Sequence, residues 1–468
     1  MLEMKCIIRR KLEQQTPIIH FQYDQRGATL RATEAKPKLD AFILKKIGKE
    51  TARSRGWLIG DTEALNYKMR FFIENYNEND PKISKSGDYD IEARKLELRG
   101  DSEQAKKMRN QAKSQINDMY FANMVSSQST DITEYESNVK KQYKETVFYS
   151  ETHIIMEIVC FIPALRNEIE KYLEEFFIVH NFGSRQSKGF GGFKLLPKEN
   201  GQEKSALKIL QENDYQFFYA DCRPCKVSDL MNHAMTVYAI LKGGLNMTGW
   251  DKRSNSYKNP NNYIKGYIQR RFISDVFKNG DQIGGDKAYI KRYRIVPKSG
   301  FIHENRKHSD SENKYSDYKF MRILLGMADH YKFSQTYQGE VNVYSLGEGE
   351  YDVQRFKSPV TIKILEGKIF FVFDVCSLKD VAGKEFYFLS KPEAHDEFSR
   401  LNGYKEQSEY IKQHGKSILV PKIGSAEIKI LIEKFVEYFN AEKQKLRNFG
   451  PKYKNTANIT LMRGNINE

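Results

Sequence analysis

The stretch from Asn181 to Phe193, NFGSRQSKGFGGF, constrains this chain more than any other. It holds four glycines, two cations and three aromatics without a single acid. It follows PALRNEIEKYLEEFFIVHN, whose Leu165, Ile169, Leu173 and Phe176/Phe177 recur on one helical stripe. A glycine-rich loop leaving a helix end must turn sharply, and FKLLP directly after it reads as the returning strand. Upstream, residues 4–14 with Cys6, Ile7, Ile8 and Leu12 read as an opening strand that ends at Thr16-Pro17. A helix capped by Thr33 is expected to run to about residue 47, with Leu39, Phe42, Ile43 and Ile47 on one face and Pro37 tolerated near its first turn. Thr146–Tyr149 and HIIMEIVCFI (153–162) read as two strands ahead of the loop's helix. The resulting order, β-α…β-β-α-β, is the ferredoxin-like arrangement, so the fold class is α+β.

The second half repeats these ingredients less cleanly. A strand is expected at 215–221, a helix at 227–242, a hairpin over 358–375 turning at Glu366-Gly367, and an amphipathic helix over 426–439. YKFMRILLGMADHY (318–331) reads as a further helix. A chain of 468 residues exceeds one ordinary core. Two domains are expected: 1–200, with a polar helical insertion near 76–136, and a more divergent 206–468, with the polar 198–205 between them.

Charge narrows the partner. Lys and Arg number 76 against 61 Asp and Glu, a net +15 that favours a polyanionic partner, nucleic acid or an anionic membrane surface, with solubility charge alone as the bland alternative. Residues 251–300 hold 12 Lys/Arg against 4 Asp/Glu, interleaved with Tyr257, Tyr263, Tyr267, Phe272, Tyr289 and Tyr293. Cations for phosphates beside aromatics for bases are the footprint of single-stranded RNA binding, with a solvated insertion around core aromatics as the alternative. No apolar run reaches membrane-spanning length, because HIIMEIVCFIPAL carries Glu157 at its centre. Five scattered cysteines suit a reducing compartment, and the first residues lack a signal-peptide h-region, so a cytoplasmic protein without a membrane partner is expected.

Three uses of the loop compete. A Walker A cradle needs a lysine and a Ser or Thr after its second glycine, whereas Lys188 precedes Gly189 and a helix precedes the loop. Lys188-Gly189-Phe190-Gly191 opens like an RNP1 strand, but Gly192 stands where that strand has its next aromatic. The third use is a glycine hinge along a polyanion. Successive N–H groups would form an anion nest, Arg185 and Lys188 would meet phosphates, and Phe182, Phe190 or Phe193 would pack or stack on a base. A plain glycine hairpin with surface cations is the bland alternative.

Reaction chemistry is thinly represented. Cys222-Arg223-Pro224-Cys225 is a lone CxxC with His233 the only nearby histidine, two ligands short of a structural zinc site, so neither metal nor cofactor is expected. His20 lies just after the first strand and is the one candidate general base, with Asp24 and Asp40 the nearest carboxylates for a metal-dependent cut. No tight carboxylate cluster supports catalysis.

GSRQSKGFG resembles the glycine-rich signature, approximately G-x-R-x-x-[RK]-G-[FY]-G, of the RAMP superfamily of CRISPR-associated proteins. Gly183, Arg185, Lys188, Gly189, Phe190 and Gly191 occupy matching positions. QQTPIIHFQYDQRGATLRATEAKPKLDAFIL is similar to the family's N-terminal stretch: Leu30, Arg31, Lys36 and Leu39 match, while Pro37 stands where glycine is usual and Asp40 where a basic residue is common. RFKSPVTIKI (355–364) is similar to the start of its second domain. Length and two-half organisation look like the double-RAMP subunit of type III-B (Cmr) effector complexes. The resemblance implies two ferredoxin-like (RAMP/RRM-like) domains with helical insertions. It implies a non-catalytic RNA-binding subunit that holds the 3′ region of the guide RNA (crRNA) and helps capture target RNA in antiviral defence, beside other RAMP subunits. RNA contacts would come from Gly183, Arg185, Lys188, Gly189, Phe190 and Gly191, with Arg31, Lys36, Arg270, Arg271, Arg292 and Arg294 extending the track. The alternative is a RAMP-type endoribonuclease that processes guide precursors, with His20 as base.

Overall fold

In β1 (Ile7–Gln14), Ile8, Leu12 and Gln14 are buried while Ile7, Arg9, Lys11 and Glu13 are exposed, so the strand lays one face on a core. The computed structural model describes residues 6–19, 30–73, 86–108, 146–147, 153–198, 204–246, 250–251, 256–257, 263–277, 279–292, 315–327, 330–333, 339–353, 355–390, 397–449 and 451–464. The chain divides into two compact units. One comprises Met1–Tyr215, Tyr219–Met235 and Thr361–Val372; the other comprises Gln216–Phe218, Thr236–Val360 and Phe373–Glu468.

In the first unit the chain runs from β1 through β2 (Ile18–Ile19), α1 (Ala32–Ile47), α2 (Lys49–Ser54) and β3 (Lys68–Ile73). After α3 (Ser86–Leu98) come β4 (Thr146–Val147), β5 (Ile154–Val159), α4 (Pro163–Val179) and β6 (Phe193–Leu195). Four strands form one antiparallel sheet in the order β3-β5-β1-β6. Leu39 and Ile43 of α1 and Leu165, Ile169, Leu173, Phe176 and Phe177 of α4 share a core with Ile8, Leu12, Ile154, Met156 and Ile158. The period-3.6 stripes of both helices therefore close on the same face of the sheet. Phe176 is the hub, with ring centroids 5.7 Å from Phe42, 5.2 Å from Phe177, 5.8 Å from Phe182 and 4.7 Å from His180.

Several expectations shift. The N-cap of α1 lies two residues before the expected Thr33: the Glu34 and Ala35 N–H groups donate to the Arg31 carbonyl, so Arg31 is the N-cap, with no side-chain capping bond. β4 pairs with β2, not with β5. The insertion holds α3 and a second helical stretch at 102–108, while 76–85 and 109–136 lie outside the described residues. The hairpin of β8 (Val360–Leu365) and β9 (Lys368–Phe373) turns as expected, with Glu366 at φ 56° and Gly367 at φ 71°, the left-handed pair of a two-residue turn that matches strand twist. β7 (Gln216–Asp221) precedes them in the chain.

The second unit carries a six-stranded sheet in the order Ile283–Gly285, Asp317–Lys319, Lys416–Leu419, Glu385–Ser390, Gly339–Tyr344, His330–Phe333. Its first three strands run parallel. The helix expected at 318–331 is absent: a strand, a 3-10 turn at Arg322–Leu325 and a second strand replace it. Phe320, Met321, Ile323, Leu324 and Leu325 are all buried, a run enclosed on every side rather than along one stripe. Gly326, at φ 93°, sits where a Cβ would come within 2.8 Å of the Ser358 nitrogen, and that close chain passage ends any helix. With the strands and helices that lie between them set aside, Gln216–Asp221, Val227–Lys242, Val360–Leu365, Lys368–Phe373, Ser425–Glu442 and Met462–Arg463 follow the order strand, helix, strand, strand, helix, strand. The class is α+β. Among the described residues no helix is long and apolar enough to cross a membrane.

Because Phe176 touches four rings and is fully buried, Phe176→Ala is expected to cost about 3–5 kcal/mol of unfolding free energy, read as a lower urea midpoint at unchanged m-value.

Candidate nucleic-acid interface

The loop begins where α4 stops. His180 caps the helix through its N–H to the Phe176 carbonyl (3.0 Å), and the chain then folds back so that Asn181 pairs with Gly192. The Phe182 N–H donates to Gly191 O (2.9 Å), Ser184 N–H to Ile19 O (2.7 Å), Lys188 N–H to Arg185 O (2.8 Å) and Gly191 N–H to Pro17 O (2.8 Å). The Gly192 N–H donates to Thr16 Oγ1 (2.7 Å), which is the structural use of Thr16-Pro17. Gly183 donates to Glu34 Oε1 at 2.7 Å, so a carboxylate of α1 occupies the place foreseen for an external anion. The anion-nest expectation is thereby narrowed: the N–H groups of Phe182, Gly183, Ser184, Lys188, Gly189, Gly191 and Gly192 are bonded inside the protein.

Two glycines are dictated by space. A Cβ on Gly183 (φ 77°) would lie 2.4 Å from Ile19 O, and one on Gly191 (φ 70°) 1.8 Å from Phe182 O. Base stacking by the loop aromatics is also corrected. Phe182, Phe190 and Phe193 are fully buried, with Phe182 5.9 Å from Phe193, because the turn folds all three rings into the core side. Arg185 and Lys188 sit half-buried on the loop, and Arg185 takes φ 57° although it is not glycine.

The seat of the loop was only partly foreseeable. Glu34 and Lys38, spaced i,i+4 on α1, pair at 2.9 Å, a spacing legible in ATEAKPK. Lys38 Nζ also donates to Asn181 O (3.1 Å) and Gln186 Oε1 (2.9 Å) and lies 4.9 Å from the Phe182 ring centre. From far along the chain, β8 joins in. The Ile362 N–H donates to Ser187 O (3.3 Å), and Asn181 Nδ2 donates to Ile362 O (2.8 Å) and Gln186 O (2.7 Å). The fully buried Lys363 amine donates to the His180 carbonyl. Burial first, and the nearby Lys38 charge second, push the Lys363 amine well below the usual lysine range. Its signal was a lone cation inside VTIKIL, a strand otherwise apolar.

The remaining candidates separate. Lys36 is bound to Asp40 (2.7 Å) and the Leu65 carbonyl (3.0 Å), with its Nζ 4.3 Å from the Tyr67 ring centre. It holds α1 in place and does not reach out to a phosphate, a correction caused by the buried Asp40. Arg31 is half-buried at the α1 N-cap. In the basic stretch, Tyr267 and Phe272 belong to the second unit's core, and Tyr267 donates to Asp275 (2.6 Å); Tyr263 is 42 % exposed. Tyr289 is buried and donates to Ser417 O (2.6 Å). Arg271 stacks its guanidinium 4.6 Å from the Tyr438 ring centre. The side chains of Arg270 and Arg292, and all of Arg294, Tyr293, His20 and Asp24, lie outside the described residues. Cys222 is buried with its thiol pushed up to about 12, by burial first, and Cys225 is exposed. Among the described residues no three His, Cys, Asp or Glu side chains are placed to hold a metal ion.

Residues 5–245 match the Cmr1 N-terminal domain, and residues 268–459 match the Cmr1 C-terminal domain. The chain belongs to the Cmr1 family. It is a RAMP-like subunit of the type III-B Cmr system, as the glycine loop and Thr16-Pro17 implied. None of the curated proteins matches. Among solved structures, one chain of the type III-B Cmr-beta complex bound to cognate target RNA and AMPPnP is similar at 11% identity and a TM-score of 0.37, covering 92% of this chain and 99% of that one.

The unfolded chain keeps a lysine protonated up to its ordinary pKa near 10.4, whereas folded Lys363 releases its proton at lower pH. Unfolding therefore takes up a proton between those values, and stability rises with pH through that window and falls toward acid. Urea titrations from pH 7 to 10 are expected to show this slope in the wild type and its loss in Lys363→Met.

Proposed function

We propose that this Cmr1-family subunit grips single-stranded RNA, namely the 3′ region of the guide, and helps admit target RNA without cutting either. In this reading each half is a ferredoxin-like domain: the order β3-β5-β1-β6 supports it for the first, and the element order supports it for the second. The other partners are companion subunits of a type III effector in the cytoplasm.

The observation that carries the proposal is Arg185 at φ 57°. A non-glycine residue in the left-handed region costs roughly 1 kcal/mol or more. In a loop where Gly183, Gly189 and Gly191 also take positive φ, another glycine would serve the turn at no cost. An arginine held there against its backbone preference points to a use for the guanidinium, and a phosphate is the ligand its fork suits. Lys188, three residues on, adds a second phosphate contact. Gly183, Gly189 and Gly191 set the loop's shape, Phe190 anchors it from within, and Arg31 and Arg271 are secondary contacts.

Arg185→Gly separates use from structure. It relieves the backbone, so the urea midpoint is expected to hold or rise. Affinity for a single-stranded RNA is expected to fall about tenfold, and the slope of log K against log salt to shrink by about 0.7 for the lost phosphate contact. Unchanged affinity and slope would remove the loop from the RNA path.

A further inference from the structure

The face of the first unit's sheet that turns away from α1 and α4 has a composition none of the loop argument uses. The registers set its residues in three rows across β1, β5 and β3: Ile7–Val159–Lys68, Arg9–Glu157–Arg70 and Lys11–Ile155–Phe72. The opposite set, Ile8, Leu12, Ile154, Met156 and Ile158, with Met69, Phe71 and Ile73 packed against it, belongs to the helix-covered core. The middle strand gives this face a floor of Ile155, buried, and Val159, half-buried, with one buried carboxylate, Glu157, that Arg70 holds at 2.8 Å, so the surface a ligand can meet is the flanking cations and the Phe161 end. The flanking strands carry cations on both sides: Arg9 and Lys11 on β1, Lys68 and Arg70 on β3, all exposed. Both Arg9 and Arg70 place their guanidinium carbons 5.5 Å from the Phe72 ring centre. At the Val159 end stand two exposed apolar side chains, Ile7 at 38 % and Phe161 at 79 %.

Neighbouring strands lie about 4.8 Å apart, so the two cationic rails run roughly 10 Å from each other. We infer that this face is a second, single-stranded RNA track, with the backbone's phosphates on the rails and one or two bases on the exposed Phe161 ring or on the arginine planes that flank the half-buried Phe72. An acidic protein partner would match the charges but has no particular use for the flat guanidinium faces beside Phe72 or for the exposed Phe161 ring. Unpaired bases stack on both. The inference rests on the RNA-binding reading and extends it to a surface on the sheet, formed by strands rather than by the glycine loop.

The test uses the full chain, a fluorescein-labelled single-stranded RNA and the variants Phe161→Ala and Lys11→Glu/Lys68→Glu, all at exposed positions. Each variant is expected to weaken binding about tenfold with an unchanged urea midpoint. In the wild type, 4-thiouridine RNA is expected to crosslink to the peptide containing Phe161. Full affinity in both variants and no such crosslink, while Arg185→Gly still weakens binding, would overturn the sheet track and leave the loop reading standing. Loss of a companion subunit from the purified complex with RNA affinity intact would also overturn it, assigning the face to protein. No RNA binding by the wild type would sink the functional reading itself.

Discussion

One carboxylate seats the loop. Glu34 Oε1 takes the Gly183 N–H at 2.7 Å, the Lys38 amine at 2.9 Å and the Gln186 amide at 3.2 Å, tying the first turn of α1 to the far side of the glycine loop. A half-buried carboxylate with three donors is strongly held, and each donor is satisfied in return. The loop can therefore turn through several left-handed residues without leaving polar backbone stranded.

The chemical character of the surface follows from that seat. With the glycine N–H groups bonded inside the protein and the three phenylalanines turned inward, the loop is a bracket for Arg185 and Lys188. β8 reinforces it, since Asn181 bonds Ile362 O and the Lys363 amine bonds His180 O across 181 and 183 residues of sequence. A buried amine is an expensive way to hold a carbonyl, and its depressed pKa is the trace of that cost. Rigidity matters for a polyanion grip because side chains fixed beforehand lose less entropy when the ligand arrives.

Lys36 shows how an apparent binding residue is absorbed by structure. In the sequence it is a cation near a helix start. In the fold, Asp40, one turn along α1, captures it, and Tyr67 lies beside its amine. Tyr267, Phe272 and Tyr289 of the basic stretch went the same way: Tyr267 packs 5.4 Å from Phe435 and 5.6 Å from Tyr438. Composition counts charges and rings but does not say which side of a wall they stand on.

The sequence by itself determined what depends on neighbours along the chain. The period-3.6 stripe of α4, the alternation of β1, the hairpin turn at Glu366-Gly367 and the glycine loop after α4 are local patterns, and they were legible. Tertiary structure alone decided three things: that Glu34 fills the loop's first donor, that Lys363 lies buried beneath it, and that 318–331 breaks into strands around Gly326. A short apolar run fits a helix or a buried strand equally well until the rest of the fold encloses it. A side chain's partner 183 residues away exists only once the chain has closed on itself.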